Sequence, residues 1–326
     1  MGWNREQALE GLRSHDLIGI GMEADALRRR LHPEGVVSYV IERTVPCGFG
    51  AGPDESPDAL HTLLTEAEEM GCTGLVLEPD PAAARELAWY EALLRDLRHR
   101  YPSLTLHGLS ATEILRLADG AGRRLEETLF RLKAAGLQSL GGSDAWLLDD
   151  AERTRLAPED CSSEAWLGVH RAAHKLGVRS VAAMVFGAGE PLAARVAHLE
   201  ALAVLQTETG GFVAFQPLAY HPKNPPATHR SLDEATAVDY LTTLAVSRLV
   251  LEAIGNVESV SQGLKVQQMA LRFGANDVGP ALLDPQAIQL AGPSNCATEE
   301  ELRRMIRDAG FEPVERDSLY SKMFLA

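Results

Sequence analysis

The sequence predicts an α/β fold in which parallel strands and intervening helices close, or nearly close, a barrel. Three observations predict it. Six β-rich runs alternate with amphipathic helical stretches, the pattern of βαβ units. Right-handed crossovers then curl the sheet consistently one way. The chain of 326 residues is long enough to bury a sizeable core. Two helical patterns come first, at 5–13 and 23–31. Strand-like runs follow at 36–45, 74–77, 104–108, 138–140, 180–187 and 211–218. Between them lie helical patterns at 58–70, 82–98, 112–136 (broken near Gly120), 163–176 and 191–209. A further one, at 233–254, follows the sixth strand.

The helix boundaries have local causes. Ser162 and Ser163 with Glu164 can cap a helix that Gly177 ends. Gly136 stops another after LFRLKAA. Near the C-terminus, Thr298 precedes three glutamates, and the later turn is basic, as the helix dipole favours. The expected organisation is a single domain: an N-terminal helical segment at 1–35, the barrel at 36–255 and a C-terminal extension at 256–326.

Composition narrows the function classes. Apolar residues make up 45% and the net charge is −15. No basic stripe appears, which argues against nucleic acid as a partner. No apolar run approaches the roughly 18 residues of a membrane helix. The start, MGWNREQALEGLRSHD, has no apolar centre and does not read as a signal peptide, so a cytoplasmic protein is expected. Four cysteines stand at 47, 72, 161 and 296, with no CxxC among them. They read as free thiols rather than a zinc or iron–sulfur set.

In a parallel barrel, function sits in the loops at the C-terminal ends of the strands. Those loops read TVPCGFGAGP, LEPD, HGLSATEI, LGGSDAW, VFGAGE and FQPLAYHPKNPP. Together with KAAGLQSLGGSDAWL, AWLGVHRAAHKLGVRSVAAMVFG, LQTETGGFVAFQPLAYHPKN, ALRFGANDVG and RDAGFEPVERDSLY, they resemble the radical SAM enzymes of the futalosine route to menaquinone. Among these the sequence is most similar to aminofutalosine synthase. Dehypoxanthine futalosine cyclase and the deazaflavin-cofactor synthases stand behind it. The resemblance spans nearly the whole chain. It implies a partial (β/α)6 TIM-like barrel of the radical SAM type, a [4Fe–4S] cluster and S-adenosylmethionine.

Several loops depart from the family pattern. The family places CxxxCxxC after the first strand; here TVPCGFGAGP holds Cys47 alone. A cubane cluster with one iron left open needs three protein thiolates. After the second strand, Glu78 replaces the histidine of a His-Pro-Asp. After the fourth, Gly141-Gly142-Ser143-Asp144-Ala145 stands for Gly-Gly-Gly-Ala-Glu, and after the fifth, Phe186-Gly187-Ala188 stands for Tyr-Gly-His. The expectation is therefore no cofactor, no metal, and loss of the cluster and SAM chemistry with the substrate end retained.

Candidate site residues follow from loop position. Glu113 is expected either in a pocket at the barrel mouth or as an exposed residue of a helix start. Tyr220 and His221 read as ligand contacts or as a structural corner, with Gln216 in the strand before them. Asn276 and Asp277 read as ligand contacts or as a turn after a helix. If there is non-radical chemistry, Glu78, Glu113, Asp144 and His221 are the acid/base candidates. His170 and His174, four apart on a helix, could bind zinc but lack a third ligand in sequence reach. The sequence thus leads to a cluster-less pseudoenzyme or accessory protein of menaquinone metabolism. It would bind a nucleoside or aromatic carboxylate such as aminofutalosine, or pair with a catalytic paralogue or a second copy. An enzyme with new chemistry and a purely structural subunit are the alternatives.

Overall fold

The computed structural model describes residues 2–47, 57–79, 85–141, 144, 146–220, 235–260, 263–282 and 297–324. Helices α1 (Arg5–Arg13) and α2 (Leu17–Leu31) open the chain. Asn4 and Gln7 cap α1 reciprocally, each side-chain oxygen accepting the other's backbone N–H at 3.0 Å. Helix α2 starts earlier than the sequence suggests, because the Asp16 carboxylate accepts Gly19 N–H at 2.8 Å and caps it.

The alternation then runs β1 (Val36–Pro46), α3 (Pro57–Glu69), β2 (Gly74–Glu78), α4 (Leu87–Arg100), β3 (Thr105–Gly108), α5 (Ala111–Gly120), α6 (Leu125–Ala135) and β4 (Ser139–Leu140). It continues through α7 (Asp150–Leu156), α8 (Ser163–Lys175), β5 (Arg179–Phe186), α9 (Leu192–Thr209), β6 (Phe212–Ala219) and α10 (Ala237–Val250). Last come β7 (Asn256–Val257), α11 (Gly263–Ala270), β8 (Asp277–Leu282), α12 (Glu299–Asp308), β9 (Glu312–Arg316) and β10 (Met323–Phe324). Strands β1 to β7 pair in order and in parallel, the curled sheet of a partial TIM-like barrel.

The segment 256–326 is more than an extension. Strand β8 pairs with β1 and bridges to the end of β7 at Glu258↔Asp277, so it lies across the gap between first and last barrel strands. Strand β9 pairs with β1 over Val36 to Val40, and β2 takes over from Glu42 onward. Two strands thus share β1 in tandem, and Arg316 at the end of β9 arrives beside the start of β2. Sequence patterning misses β8 because DVGPAL contains Gly279, at φ +71°, and Pro280, which has no N–H to give the ladder. It misses β7 because two residues carry no periodicity.

Strand alternation separates the two faces of the sheet. In β6, Phe215 and Ala219 are buried, while Gln216 and Leu218 are half-buried. In β2, Leu75 and Leu77 are buried while Val76 is half-buried and Glu78 exposed. The buried set belongs to one continuous core with the surrounding helices, including Trp166, Phe186 and Tyr240. The half-buried set faces the barrel lumen.

Candidate functional site

The lumen has apolar walls and a charged floor. Val76, Val185 and Leu218 are half-buried on its walls, and Thr44 is exposed toward the mouth. At the floor, Arg316 on β9 reaches inward between two carboxylates. Its Nε donates to Asp277 Oδ2 at 2.5 Å and its Nη2 to Glu258 Oε1 at 3.1 Å. Ser38 on β1 donates to Asp277 Oδ2 at 2.5 Å. Gln216 on β6 donates to Glu258 Oε2 at 2.5 Å, and the Tyr320 hydroxyl donates to Glu258 Oε1 at 2.7 Å. On the other side, His107 Nε2 lies 3.1 Å from Glu42 Oε1.

These groups titrate apart. Burial pushes the Glu258 carboxyl up, Arg316 opposes it, and the neighbouring Asp277 pushes it further, to about 7. Burial also acts upward on Glu42, but His107 and Arg316 outweigh it and hold Glu42 at about 2. Burial works against the Arg316 cation, yet Asp277, Tyr320 and Glu258 raise its pKa well above the ordinary value. One carboxylate facing the lumen is therefore firmly ionised, and another sits near neutrality.

The sequence-predicted residues divide among several places. Glu78 and Glu113 come together at the mouth of β1, β2 and β3, where both bear on Cys47. Glu113 is half-buried at the start of α5, and burial raises its carboxyl against Arg116 and the Tyr90 hydroxyl. Gln216 is at the floor, where sequence reasoning did not put it. Tyr220 stands at the β6 mouth, its ring 6.2 Å from Trp146. Both Glu113 and Tyr220 follow strand C-terminal ends, so they share one face of the barrel. His221 lies outside the described residues.

Asp144 does not face the lumen. Its Oδ2 accepts Thr112 N–H at 2.9 Å and the Thr112 hydroxyl at 3.0 Å, and Oδ1 accepts Trp166 Nε1 at 3.1 Å. With 3% exposure it braces α5 against α8. Asn276 and Asp277 lie at the opposite end from the mouth, because β8 begins with Asp277. Asn276 Oδ1 accepts from Arg248 Nη2 at 2.6 Å and from Val257 N at 2.9 Å, while Asp277 joins the floor. The turn reading fits Asn276. His170 and His174 both contact Ser180 Oγ, at 3.0 and 2.7 Å, in a buried cluster. Burial holds both near 3.

Sequence reasoning missed Glu42, His107, Glu258 and Arg316. It also missed Glu190, whose carboxylate accepts Gly187 and Ala188 N–H, each at 2.8 Å, and Arg195 Nε at 2.6 Å. That carboxylate shapes the VFGAGE loop. An acidic residue inside a strand run, as in VIERTV, was the available signal for Glu42.

A model of the CofH/MqnC C-terminal region matches residues 209–325. The cyclic dehypoxanthine futalosine synthase of Streptomyces coelicolor is 31% identical, covering 98% of this chain and 85% of that one. The 5-amino-6-(D-ribitylamino)uracil–L-tyrosine 4-hydroxyphenyl transferase 2 of Methanosarcina mazei is 32% identical, covering 88% and 80%. Among solved structures, the [FeFe]-hydrogenase maturase HydG superposes with a TM-score of 0.72 at 13% identity, covering 98% of this chain and 74% of that one. Methylornithine synthase (PylB) superposes at 0.69 with 14% identity, covering 96% and 94%. No helix among the described residues is long and apolar enough to cross a membrane.

These comparisons correct the expectation of no cofactor. They place the chain in a family whose chemistry rests on a [4Fe–4S] cluster and S-adenosylmethionine, so cofactor absence does not stand as a reading of the chain. Among the described residues the donor set nevertheless does not fit that cluster. Cys47 is buried at the end of β1, and its thiol, 3.7 Å from Val45 O, is pushed up to about 12, mainly by burial. Cys72 sits at the opposite end of the barrel, its thiol directed at Gly74 O. Among the described residues no group of three His, Cys, Asp or Glu could hold a metal ion. With full-length identity above 30% to such relatives, this chain belongs to the radical SAM family of the futalosine pathway.

Proposed function

We propose that this chain is an accessory, ligand-binding member of its family, a pseudoenzyme that holds a hydroxyl-rich nucleoside or polyol-bearing heterocycle in the barrel lumen. The observation that carries this reading is the floor: Glu42 and the Gln216–Glu258 pair offer acceptors to a lumen with accessible apolar walls. Glu42 is ionised, and Glu78 and Glu113 line the mouth, so the lumen repels carboxylates and favours donor-rich ligands. That chemistry disfavours the aromatic carboxylate among the ligands the sequence suggests. The names of two relatives supply two probes, cyclic dehypoxanthine futalosine and 5-amino-6-(D-ribitylamino)uracil.

Thermal unfolding with each probe tests the proposal, since a ligand specific to the folded state raises Tm. Glu42→Gln and Gln216→Ala should remove the shift, while Arg304→Ala, on the exposed side of α12, should keep it. Neither probe shifting Tm would sink the reading. A second reading, non-radical acid–base catalysis, is favoured by Glu258 alone, a lumen carboxyl near neutrality. Turnover of either probe, lost in Glu258→Gln, would select it.

A further inference from the structure

The face of the barrel opposite the mouth carries a cavity of ≈ 620 Å³. Its walls are the segments that enter β4, β5, β6 and β7, with Leu319, Tyr320 and Ser321 on one side. Three cations converge on it: Arg98 from α4, Lys133 from α6 and Arg179 from β5. Among the described residues no aspartate or glutamate lines it, in a chain of net charge −15. All three cations are held by backbone carbonyls rather than by carboxylates. Arg98 Nη1 donates to Pro102 O at 3.1 Å, Arg179 Nη1 to Gly210 O at 2.8 Å, and Lys133 Nζ to Leu176 O.

We infer that this cavity is a binding site for a small multivalent anion, an organic phosphate or a polycarboxylate. Part of the cationic charge has a plain structural use. Helices run opposite to the strands, so the C-termini of α4, α6, α8 and α9 gather on this face, each carrying about half a negative charge. Four such ends supply about −2 against three full cations, which leaves a positive remainder of about one charge for a ligand. Arg and Lys donors keep unused N–H groups toward the cavity, since one or two bonds each do not exhaust them. Its size suits a small organic ligand.

The cavity also touches the lumen floor. Tyr320 lines the cavity, and its hydroxyl ends on Glu258. Its backbone is at φ +56°, a conformation that costs a non-glycine residue and persists where the surroundings fix it. The guanidinium of Arg316 stacks 3.8 Å from the Tyr320 ring centroid and fixes it. An anion seated among the three cations would contact the strained turn that closes the barrel from below.

The test is isothermal titration of the full chain with inorganic pyrophosphate and, separately, with citrate, at ionic strength matched with sodium chloride. Saturable binding of one equivalent of either probe is expected. Pyrophosphate preference assigns an organic phosphate and citrate preference a polycarboxylate. Lys133→Gln and Arg179→Gln should each weaken binding about tenfold, the loss of one charge-assisted contact. Ser321→Glu, which leaves every cation and its carbonyl partner in place, should abolish binding, and Arg304→Gln should not change it. No saturable binding of either probe to the wild type would overturn the inference. So would wild-type affinity in Ser321→Glu, whatever becomes of the lumen ligand.

Discussion

The Tyr320 hydroxyl donates to Glu258 Oε1 at 2.7 Å and so ties the C-terminal turn to the barrel interior. Glu258 directly follows β7 and Tyr320 follows β9, so the contact joins segments 62 residues apart. Arg316 completes it, reaching Glu258 at 3.1 Å and Asp277 at 2.5 Å. The floor of the lumen and the closure of the barrel are the same set of contacts.

Removing one contact should cost less than removing the cation. Tyr320→Phe loses a hydrogen bond to a carboxylate, about 2 kcal/mol. Arg316→Met leaves two buried carboxylates without their cation, about 3–5 kcal/mol. Urea unfolding reads both. Equal losses in the two variants would show that Arg316 is not the keystone.

The two floor carboxyls should shape the pH profile in opposite ways. Glu258 is raised from 4.5 to about 7, so the folded state holds its proton more tightly. Stability from this group falls as pH rises between those values. Glu42 is lowered from 4.5 to about 2, so its contribution is present above 4.5 and is lost as pH falls toward 2. Glu258→Gln should therefore gain stability relative to wild type at pH 8 more than at pH 5. Unfolding midpoints at the two pH values check this, and a constant difference would refute it.

The Cys47 thiol, buried and raised to about 12, should resist iodoacetamide at pH 8 in the native protein. It should react fully after denaturation. Peptide mass spectrometry distinguishes the two states, and labelling of native Cys47 within minutes would contradict the burial described here.

Gly108 ends β3 at φ +124°, and a Cβ there would stand 2.2 Å from Leu77 O. Because the obstacle is backbone, Gly108→Ala should destabilise by about 2–4 kcal/mol. A thermal midpoint within 2 °C of wild type would rule that strain out, since about 1 kcal/mol moves a chain of this size by roughly that much.

The sequence by itself determined the alternation of strands and helices, the family and most helix ends. These are local: a period, a cap such as Thr298 with Glu301, or a stop such as Gly136 is written within a few residues. It also placed Glu78 and Glu113 at the mouth, because loop position after a parallel strand fixes which end of the barrel a residue occupies. Only the tertiary structure decided the lumen floor. Glu42, His107, Gln216, Glu258, Asp277 and Arg316 come from six different strands or strand ends, and none is near the others in sequence. Asp144 shows the same limit from the other side. It occupies a mouth loop, yet Thr112 and Trp166, distant in sequence, turn its carboxylate away from the lumen. Strand register and crossover geometry bring such groups together, and neither is encoded in a local window.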